Sequence, residues 1–553
     1  MQNNKTKPAE IQAEYTAGTN FKSSIGQNGL FEQSKMNSRF YNGDQWYSVK
    51  SPNSRPLVRR NIIKRIGEYK LSSVAASPIA VNFSAEGVEE CSIHPKQRAD
   101  AFNKIVYGGY DFTGEPDNLE LSLMMQFLTA YSKTTAERVK FDALAREALQ
   151  NAYITGTGLI YTYFDPSVKT GLFVDSKKQV AIKGDIVSEV LDVENVVFGD
   201  PNLNDVQRQP YIIIAQRLNC MDVRREAKQN GVSEEEILKI VPESDSHYLS
   251  LDEPEESARV TVYTKFYKQY DLNGDYSIFA TRTTNRVVIK EPFDIGIKLY
   301  PLAKVDWDTS RHSAYGESEV THLIPNQIAI NRALSAEVWS TMLNGMPIML
   351  VNGDVVDTEI TNDPGQIIKI YGENTDVAGA VRYVQPSSFA AQMINSVDNL
   401  ATNTLYDAGA NDVALGNVKP DNAAAIIQMR EATLQPMQLK QQQYYTFIED
   451  VMRIWAQFWL NLYSFRRLKI STENGTGYVP FNPQRYRELL INAKVDVGAS
   501  TVWSTSVVVS SLDSLLQQGI ITPLQYLERL PDNIIPNKAG LINEIRGISN
   551  ESV

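Results

Sequence analysis

Apolar residues recur at helical spacing through the segment from Asp421 to Phe465, which contains no glycine and only one proline, Pro436. At 1.5 Å per residue, a helix of this length would span roughly 65 Å. Helices in globular domains average about 10 to 14 residues, and longer ones are typical of coiled coils, extended bundles and assembly axes. Pro436 removes one backbone hydrogen bond and crowds the preceding turn, so we expect a bend near it.

The two halves of this predicted helix differ in character. The first half, Asn422 to Gln443, is rich in alanine and glutamine and includes Lys440, which predicts a polar wall or a close helix contact. The second half carries an apolar stripe with spacings of three and four residues, which predicts a buried face. This stripe consists of Tyr444, Ile448, Val451, Trp455, Phe458 and Leu462.

The chain before the long helix alternates between helical and strand-like segments. Asn61 is placed to cap a helix running to about Ala75, and residues 117–152 predict one or two amphipathic helices. From Gly171 to Lys304 the pattern is mainly β, and Asp271–Asp275 reads as a hairpin turn. A calcium loop is the weaker interpretation of this turn, because spaced ligands and a distal glutamate are missing. Together these segments predict an α+β fold.

A small β module is predicted between two helices that precede the long one. Pro325 is a suitable first residue for a helix ending near Asn344, and a second helix is predicted from Ser387 to Leu405. Between them lie short apolar runs with strand character, namely Ile348–Val351, Ile367–Tyr371 and Val381–Val384. A loop, residues 406–420, leads to the long helix.

Length and composition narrow the class of protein. A chain of 553 residues should form two or more domains, and its net charge of −11 argues against a surface that grips nucleic acid throughout. Cys91 and Cys220 are too few for a disulfide framework and are expected to be small buried residues. We expect neither secretion nor a membrane span, because the N-terminus is polar and no run of about 18 apolar residues occurs.

The usual signals of an enzyme are missing from the sequence. No phosphate-binding G-x-x-x-x-G-K-[ST] loop, H-E-x-x-H or Cys-x-x-Cys motif occurs, and the four histidines are scattered. The carboxylate pairs Asp192 with Glu194 and Asp306 with Asp308 could hold magnesium for nuclease chemistry, although acids are too common for this signal to be specific. We expect no catalytic residues, no metal and no cofactor.

Three groups of short strings, taken in their order, resemble the portal proteins of tailed bacteriophages. The first is Phe40-Tyr41-Asn42-Gly43-Asp44-Gln45-Trp46 with Asn61-Ile62-Ile63. The second is Asn195-Val196-Val197-Phe198-Gly199-Asp200-Pro201 followed by Gln209-Pro210-Tyr211-Ile212. The third is Gly316-Glu317-Ser318 leading to Asn326-Gln327 and Asn331-Arg332. The order of helix, β module, returning helix, loop and long helix is also similar, over roughly residues 30 to 545.

The resemblance implies a division of the chain into a wing, a stem, a clip and a crown. The implied segments are a flexible N-terminal arm (1–29), the first part of the wing (30–310), a descending stem helix (311–344), a clip (345–385), a returning stem helix (386–405), a channel loop (406–420), a long kinked wing helix (421–465), the second part of the wing (466–510) and a short helical crown (511–553).

The resemblance also implies a mechanical function. About twelve copies would form a ring at one capsid vertex, through which double-stranded DNA is packaged and ejected. The partners would be the large subunit of the terminase, a head-to-tail adaptor and the major capsid or scaffolding protein. The location would be the virion, with assembly in the host cytoplasm.

Site residues follow from the same resemblance. The channel loop would present Asp407, Gly409, Asp412, Gly416 and Lys419, and Lys419 and Arg430 are the candidates for DNA contact. The clip acids that could meet basic partner surfaces are Asp354, Asp357, Glu359, Asp363, Glu373 and Asp376. The alternative for the loop is an ordinary linker between two helices. The alternative for the acids is a solvated strand edge, whose charges prevent aggregation between strands.

A competing hypothesis is a non-viral oligomeric scaffold assembled through its long helices. It would explain a long helix without any DNA. It would not explain a β module inserted between two helices.

Overall fold

The structure is a computed structural model in which the chain forms two compact units. Unit 1 comprises Met1–Ser34, Lys70–Glu319 and Pro420–Val553, and unit 2 comprises Lys35–Tyr69 and Val320–Lys419. The structure describes residues 7–26, 28–47, 56–76, 79–85, 101–102, 104–105, 116–173, 181–243, 258–345, 348–356, 367, 369–371, 381–384, 391–410, 423–472, 475–487, 489, 491–495, 509, 512–530, 535, 538, 541–542 and 545.

Helices and small antiparallel sheets make up both units, which confirms the α+β prediction. The helices are α1 (Pro8–Ser24), α2 (Gly29–Asn42), α3 (Ile62–Val74), α4 (Asn118–Val139), α5 (Phe141–Thr155), α6 (Cys220–Gln229), α7 (Glu234–Ile237), α8 (Glu319–Gly345), α9 (Ala391–Asp407), α10 (Ala423–Leu462) and α11 (Pro523–Arg529). The strands are β1 (Val81–Ala85), β2 (Thr157–Phe173), β3 (Ala181–Leu191), β4 (Val196–Phe198), β5 (Tyr211–Asn219), β6 (Arg259–Tyr270), β7 (Tyr276–Thr283), β8 (Val288–Asp294), β9 (Leu302–Asp306), β10 (Ile348–Val351), β11 (Val381–Val384), β12 (Arg466–Thr472), β13 (Gly475–Phe481) and β14 (Ile491–Val495).

Within the described residues, no helix combines the length and the apolar character that crossing a membrane requires.

The long helix α10 has 40 residues and so spans roughly 60 Å. Helical structure continues through Pro436, and the bend that we expect there remains a prediction. The apolar stripe of its second half is buried as predicted from Tyr444 to Phe458, whereas Leu462 is half-buried. Trp455 packs edge-on against Phe141, with ring centroids 5.1 Å apart. This half of α10 therefore belongs to the core of unit 1.

A five-stranded antiparallel sheet in unit 1 has the strand order β4-β5-β6-β7-β8. The predicted hairpin joins β6 to β7, because Tyr270 pairs with Tyr276 and the Asp271 amide donates to the Asp275 carbonyl at 2.8 Å. Gly274 has a φ of +87°, a conformation that a glycine adopts without steric cost. The hairpin interpretation is confirmed.

The prediction of a flexible arm over residues 1–29 is wrong for the residues that form α1. This helix packs Ile11 and Tyr15 against the sheet residues Val197, Ile213 and Tyr263. A Cβ on Gly18 would lie only 2.1 Å from Cγ1 of Val197, so the helix lies close against β4. The segment is ordered because its apolar face is buried on the sheet, although few of its residues are apolar.

A three-stranded sheet of unit 1, in the order β3-β2-β9, carries the junction to α8. Gly156 and Gly316 approach so closely that a Cβ on Gly316 would lie 2.5 Å from the Gly156 carbonyl oxygen. Ser318 Oγ donates to the Tyr153 carbonyl at 2.7 Å. The string Gly316-Glu317-Ser318 is therefore a tight backbone junction, and larger side chains at either glycine would push it apart.

Unit 2 contains helix α8, the hairpin of β10 and β11, and helix α9. Helix α8 begins at Glu319, so the prediction that Pro325 starts a separate helix is wrong, and Pro325 lies inside the helix instead. Strands β10 and β11 pair antiparallel, with Ile348 opposite Val384. The third predicted run, Ile367–Tyr371, contributes only a bridge between Ile370 and Val356 among its described residues.

The C-terminal segment forms a small apolar cluster around Leu512, Ile521 and Leu530. Helix α11 begins with a capping box, in which Thr522 and Gln525 each accept a hydrogen bond from the other's backbone amide. Of the two cysteines, Cys220 is buried as predicted, and Cys91 lies outside the described residues.

Candidate functional site

Three polar side chains spaced four residues apart on α8 bind the backbone of residues 58–62, where an irregular segment leads into α3. Gln327 Oε1 accepts from the Ile62 amide at 2.9 Å, and Gln327 Nε2 donates to the Arg60 carbonyl at 2.7 Å. Asn331 Oδ1 accepts from the Arg60 amide at 3.1 Å, and Ser335 Oγ accepts from the Val58 amide at 2.9 Å. We call Gln327, Asn331 and Ser335 the polar ladder.

The spacing of the polar ladder along α8 matches the spacing of the backbone groups that it binds. Four residues of α-helix rise about 6 Å, and two residues of extended chain cover roughly 6.6 Å, so every fourth helix residue meets every second residue of the segment. Gln327 and Asn331 are each only 1% exposed. A buried polar group left without its partner costs about 1–3 kcal/mol, so a shift of α8 along this segment would be costly. The ladder therefore sets the register of α8 within unit 2.

A second layer of hydrogen bonds supports the polar ladder from behind. Asn331 Nδ2 donates to Gln45 Oε1 at 2.5 Å, and Gln45 Nε2 donates to the Phe40 carbonyl at 3.1 Å. Asn61 Nδ2 donates to the Tyr41 carbonyl at 2.9 Å, while its Oδ1 caps α3 by accepting from the Lys64 amide at 3.1 Å. The Asn61 cap is thus as predicted. The first and third strings of the sequence resemblance meet in this layer.

A polar contact joins helix α9 to α8. Asn326 Nδ2 donates to Thr404 Oγ1 at 3.3 Å, and Thr404 Oγ1 in turn donates to the Leu400 carbonyl at 2.8 Å. Thr404 and Ala401 are buried. Two helices that flank a β hairpin thus contact each other in one compact unit.

The predicted channel loop begins later than its assigned range. Asp407 is the exposed last residue of α9, and Gly409, with a φ of +73°, ends that helix. The Gly409 amide donates to the Tyr406 carbonyl and the Ala410 amide to the Leu405 carbonyl, which together make a Schellman motif. Gly409 is therefore a helix-ending glycine, not a source of loop flexibility.

The remaining predicted site residues are mostly not described. Asp412, Gly416 and Lys419 lie outside the described residues, and Arg430 is described only as part of the α10 backbone. Of the clip acids, Asp354 is exposed just after β10. The other five, which lie outside the described residues, are Asp357, Glu359, Asp363, Glu373 and Asp376. The predicted contacts with DNA and with partners therefore remain predictions.

Of the two carboxylate pairs considered for magnesium, the pair Asp306 and Asp308 has other partners. Asp306 pairs with Lys304 at 2.9 Å and accepts from Thr157 Oγ1 at 2.9 Å. Burial lowers the pKa of the Lys304 ammonium, and the charge of Asp306 opposes that shift. Asp308 pairs with Lys440 of α10. Two different lysines thus bind the two acids, and the described part of the chain contains no group of three or more metal-ligating side chains.

Lys22 is a buried cation that the sequence did not single out. It is 0% exposed, and its Nζ donates to the carbonyls of Val193 at 2.7 Å and Glu194 at 2.9 Å. The same Nζ lies 5.3 Å from the ring centroid of Tyr315. Burial lowers the pKa of Lys22 to about 7, and the charge of Glu194 opposes this shift. The ammonium thus fastens the end of α1 to the backbone before β4.

Comparison with known proteins gives no family. No protein-family model and no curated protein matches the chain. A chain of the solved structure "Neck of empty GTA particle computed with C6 symmetry" aligns with 85% of this chain and 90% of its own length, at 11% identity and a TM-score of 0.34. A chain of "Virion of native gene transfer agent (GTA) particle" aligns with 93% of this chain and 99% of its own length, at 10% identity and a TM-score of 0.35. Scores this low transfer neither a fold nor a function.

Proposed function

We propose that this chain is a structural protein of a phage-like particle, and more specifically a portal subunit. About twelve copies would form a ring at one capsid vertex, through which double-stranded DNA enters and leaves. The chain would carry out no catalysis of its own and would need no cofactor. The proposal accounts for the order of the elements and for the absence of a catalytic motif in the sequence.

The arrangement of unit 2 is the observation that carries the proposal. Helix α8, the hairpin of β10 and β11, and the returning helix α9 follow each other in one compact unit, whose second segment, Val320–Lys419, interrupts unit 1 in the sequence. The long helix α10 follows directly after that interruption. This order is what a stem and clip inserted into a wing require. The polar ladder supplies the fixed register that a stem helix would need if many copies are to line one channel.

The charge of the chain suits a conduit. A duplex must slide past the wall, and a wall that attracted phosphate strongly would slow it. The net charge of −11 would repel the duplex at short range, since screening limits the effect to about 10 Å at 0.1 M salt. Lys419 and Arg430 would then be isolated contacts on a mostly acidic path.

Partners of the ring would bind at the hairpin. Its described residues include the exposed Asp354 and the exposed Leu350, which offer one charge and one apolar side chain to another protein. The terminase would dock there during packaging and a head-to-tail adaptor afterwards, with the major capsid or scaffolding protein needed during assembly. The protein would be located in the virion.

The burial of α10 weighs against the competing scaffold hypothesis. It needs the long helix to be available for assembly, but Ile448, Val451 and Trp455 of α10 are buried in the core of the same chain. Only the first half of α10 could serve another copy.

Negative-stain electron microscopy with mass determination of the same purified sample tests the proposal. We expect rings of about twelve subunits. Their central hole should be wider than a DNA duplex, which is roughly 20 Å across. Closed dimers or solid filaments would contradict a conduit. Divalent-metal-dependent cleavage of DNA by the purified protein would contradict the proposed absence of catalysis.

A further inference from the structure

Positive charge is concentrated in one short segment of this acidic chain. Residues 35–69 contain eight lysines and arginines and two acids, which gives this segment a net charge of +6. Because the whole chain has a net charge of −11, the residues outside this segment together carry −17. The eight cations are Lys35, Arg39, Lys50, Arg55, Arg59, Arg60, Lys64 and Arg65. The six of them that the structure describes belong to unit 2, and Lys50 and Arg55 lie outside the described residues.

Four of these cations form an exposed surface at the start of α3. Arg59, Arg60, Lys64 and Arg65 are all exposed, and we call them the basic patch. Two acids lie near it: Asp398 is 3.6 Å from Arg60, and Glu68 is 3.9 Å from Lys64. Both pairs are solvent-exposed, and such pairs hold their partners weakly. The basic patch therefore keeps an excess of positive charge toward solvent.

Two of the four cations occupy helix positions that are unfavourable for positive charge. Lys64 and Arg65 lie in the first turn of α3, which contains no acid. The positive end of a helix dipole favours acids there and disfavours cations. The first amides of α3 are capped by the neutral side chains of Gln327 and Asn61. Arg59 Nη1 donates to the Gly43 carbonyl at 2.7 Å, but the exposed ion pairs of Arg60 and Lys64 give the fold little. An external partner is therefore the better explanation for this concentration of positive charge.

An exposed acidic surface of unit 1 complements the basic patch. Glu234, Glu235 and Glu236 are the only three successive acids in the sequence, and all three are exposed on α7. Leu238, which follows them, is 73% exposed, so an apolar side chain lies beside these acids. We call Glu234, Glu235, Glu236 and Leu238 the acidic tip. Only Glu234 has a basic neighbour that the structure places within reach, Lys228 at 3.4 Å.

We propose that the basic patch of one copy binds the acidic tip of the next copy. Copies with a net charge of −11 repel each other, so assembly needs a local contact of opposite charge to overcome that repulsion. Two different surfaces of the same chain make a head-to-tail contact, and contacts of this kind form a ring when the rotation from copy to copy closes. This inference rests on the proposed ring and names the contact that builds it.

Nucleic acid is the other partner that four cations could bind. The charge of −17 on the rest of the chain opposes the approach of a duplex, whereas an acidic tip on a neighbouring copy brings only three acids and an apolar side chain. The acidic tip also carries an exposed apolar residue, Leu238, that a second copy could cover. These observations favour a second copy over DNA.

The double variant K64E/R65E tests the contact. Glutamates in the first turn of α3 suit the helix dipole, which offsets the loss of the Lys64 pair with Glu68, so the variant should fold about as well as the wild type. We expect the protein concentration needed for half-maximal ring formation to rise about tenfold or more, since two favourable exposed pairs become repulsive. Mass photometry over a concentration series measures this, and circular dichroism verifies the fold. Raising sodium chloride from about 0.1 M to 1 M should weaken wild-type rings and leave the variant nearly unaffected.

The matched control is R208E/R286E, which changes the charge of two exposed arginines of unit 1 by the same amount. It should assemble like the wild type. The variant E235K/E236K reverses the charge of the acidic tip and should by itself form fewer rings. A chain that carries both E235K/E236K and K64E/R65E should form rings again, because the charges of both surfaces are then reversed.

Three results would overturn the inference. Rings formed equally well by wild type and K64E/R65E would overturn it and leave the proposed function intact. A K64E/R65E variant that assembles normally but no longer retains a DNA duplex would also overturn the inference and leave the proposed function intact. Rings absent from the wild type would overturn the proposed function and this contact with it.

Discussion

The helices α10 and α8 are the two longest of the described chain, each contains a proline, and they are held in place by different means. Helix α10 is held by apolar burial, with Ile448, Val451 and Trp455 fully buried. Helix α8 is held by the polar ladder, whose hydrogen bonds reach the backbone of residues 58–62. Burial is non-directional and roughly proportional to area, whereas hydrogen bonds require one geometry.

This difference suits different tasks. A close-packed apolar face resists displacement as a whole, but it does not tie each residue to one bonding partner. A helix held by the polar ladder has one register, because a displacement breaks several buried hydrogen bonds at once. We infer that α10 supports the core of unit 1, while the position of α8 must be the same in every copy.

The largest effect is expected for Trp455→Ala in α10. Trp455 is 0% exposed, packs on Phe141, and its Nε1 donates to Ser188 Oγ at 3.1 Å. We expect the free energy of unfolding to fall by about 3–5 kcal/mol, because a large cavity would remain. Urea denaturation followed by circular dichroism measures the change. The control Leu439→Ala, on the same helix at a residue 69% exposed, should change it by less than about 0.5 kcal/mol.

A smaller but more local effect is expected for Gln327→Leu in the polar ladder. The substitution removes the acceptor of the Ile62 amide and the donor to the Arg60 carbonyl. We expect a loss of about 2–3 kcal/mol, together with faster hydrogen exchange at the Ile62 amide. Arg332→Gln, at an exposed residue of the same helix, is the control. Unchanged exchange at Ile62 would show that the ladder does not hold this segment.

The smallest effect is a pH dependence that arises from Lys22. The unfolded lysine keeps its proton up to a pH of about 10.4, and the folded one only to about 7. Between these values the unfolded state binds more protons, so stability should rise with pH. From pH 7.5 to 9.5 the wild type should gain up to about 2 kcal/mol relative to Lys22→Met, in which this titration is absent. Equal pH profiles of the two proteins in urea denaturation would contradict it.

The same contrast explains which elements the sequence predicts. The buried half of α10 was predicted almost to the residue, because an apolar stripe is a local signal. The polar ladder was not predicted, although the spacing of Gln327, Asn331 and Ser335 is visible in the sequence. Its partners lie more than 260 residues away, and nothing in the local pattern identifies them.

Helix α1 was missed for a related reason. Its buried face consists of Ile11, Tyr15, Gly18 and Lys22, so a glycine and a lysine stand where an apolar stripe would be expected. Gly18 is suited to its close approach to Val197, and Lys22 to two backbone carbonyls. Both roles depend on contacts made by the folded chain. The start of α8 was misplaced because Pro325 resembles a first helical residue.

A cryo-electron microscopy map of the assembled protein tests the central claim most directly. The account predicts a ring in which α8 and α9 run along the wall of a central channel, with the hairpin of β10 and β11 at one end of the ring. A map that places α8 on the outer surface, or that shows no channel, would contradict it.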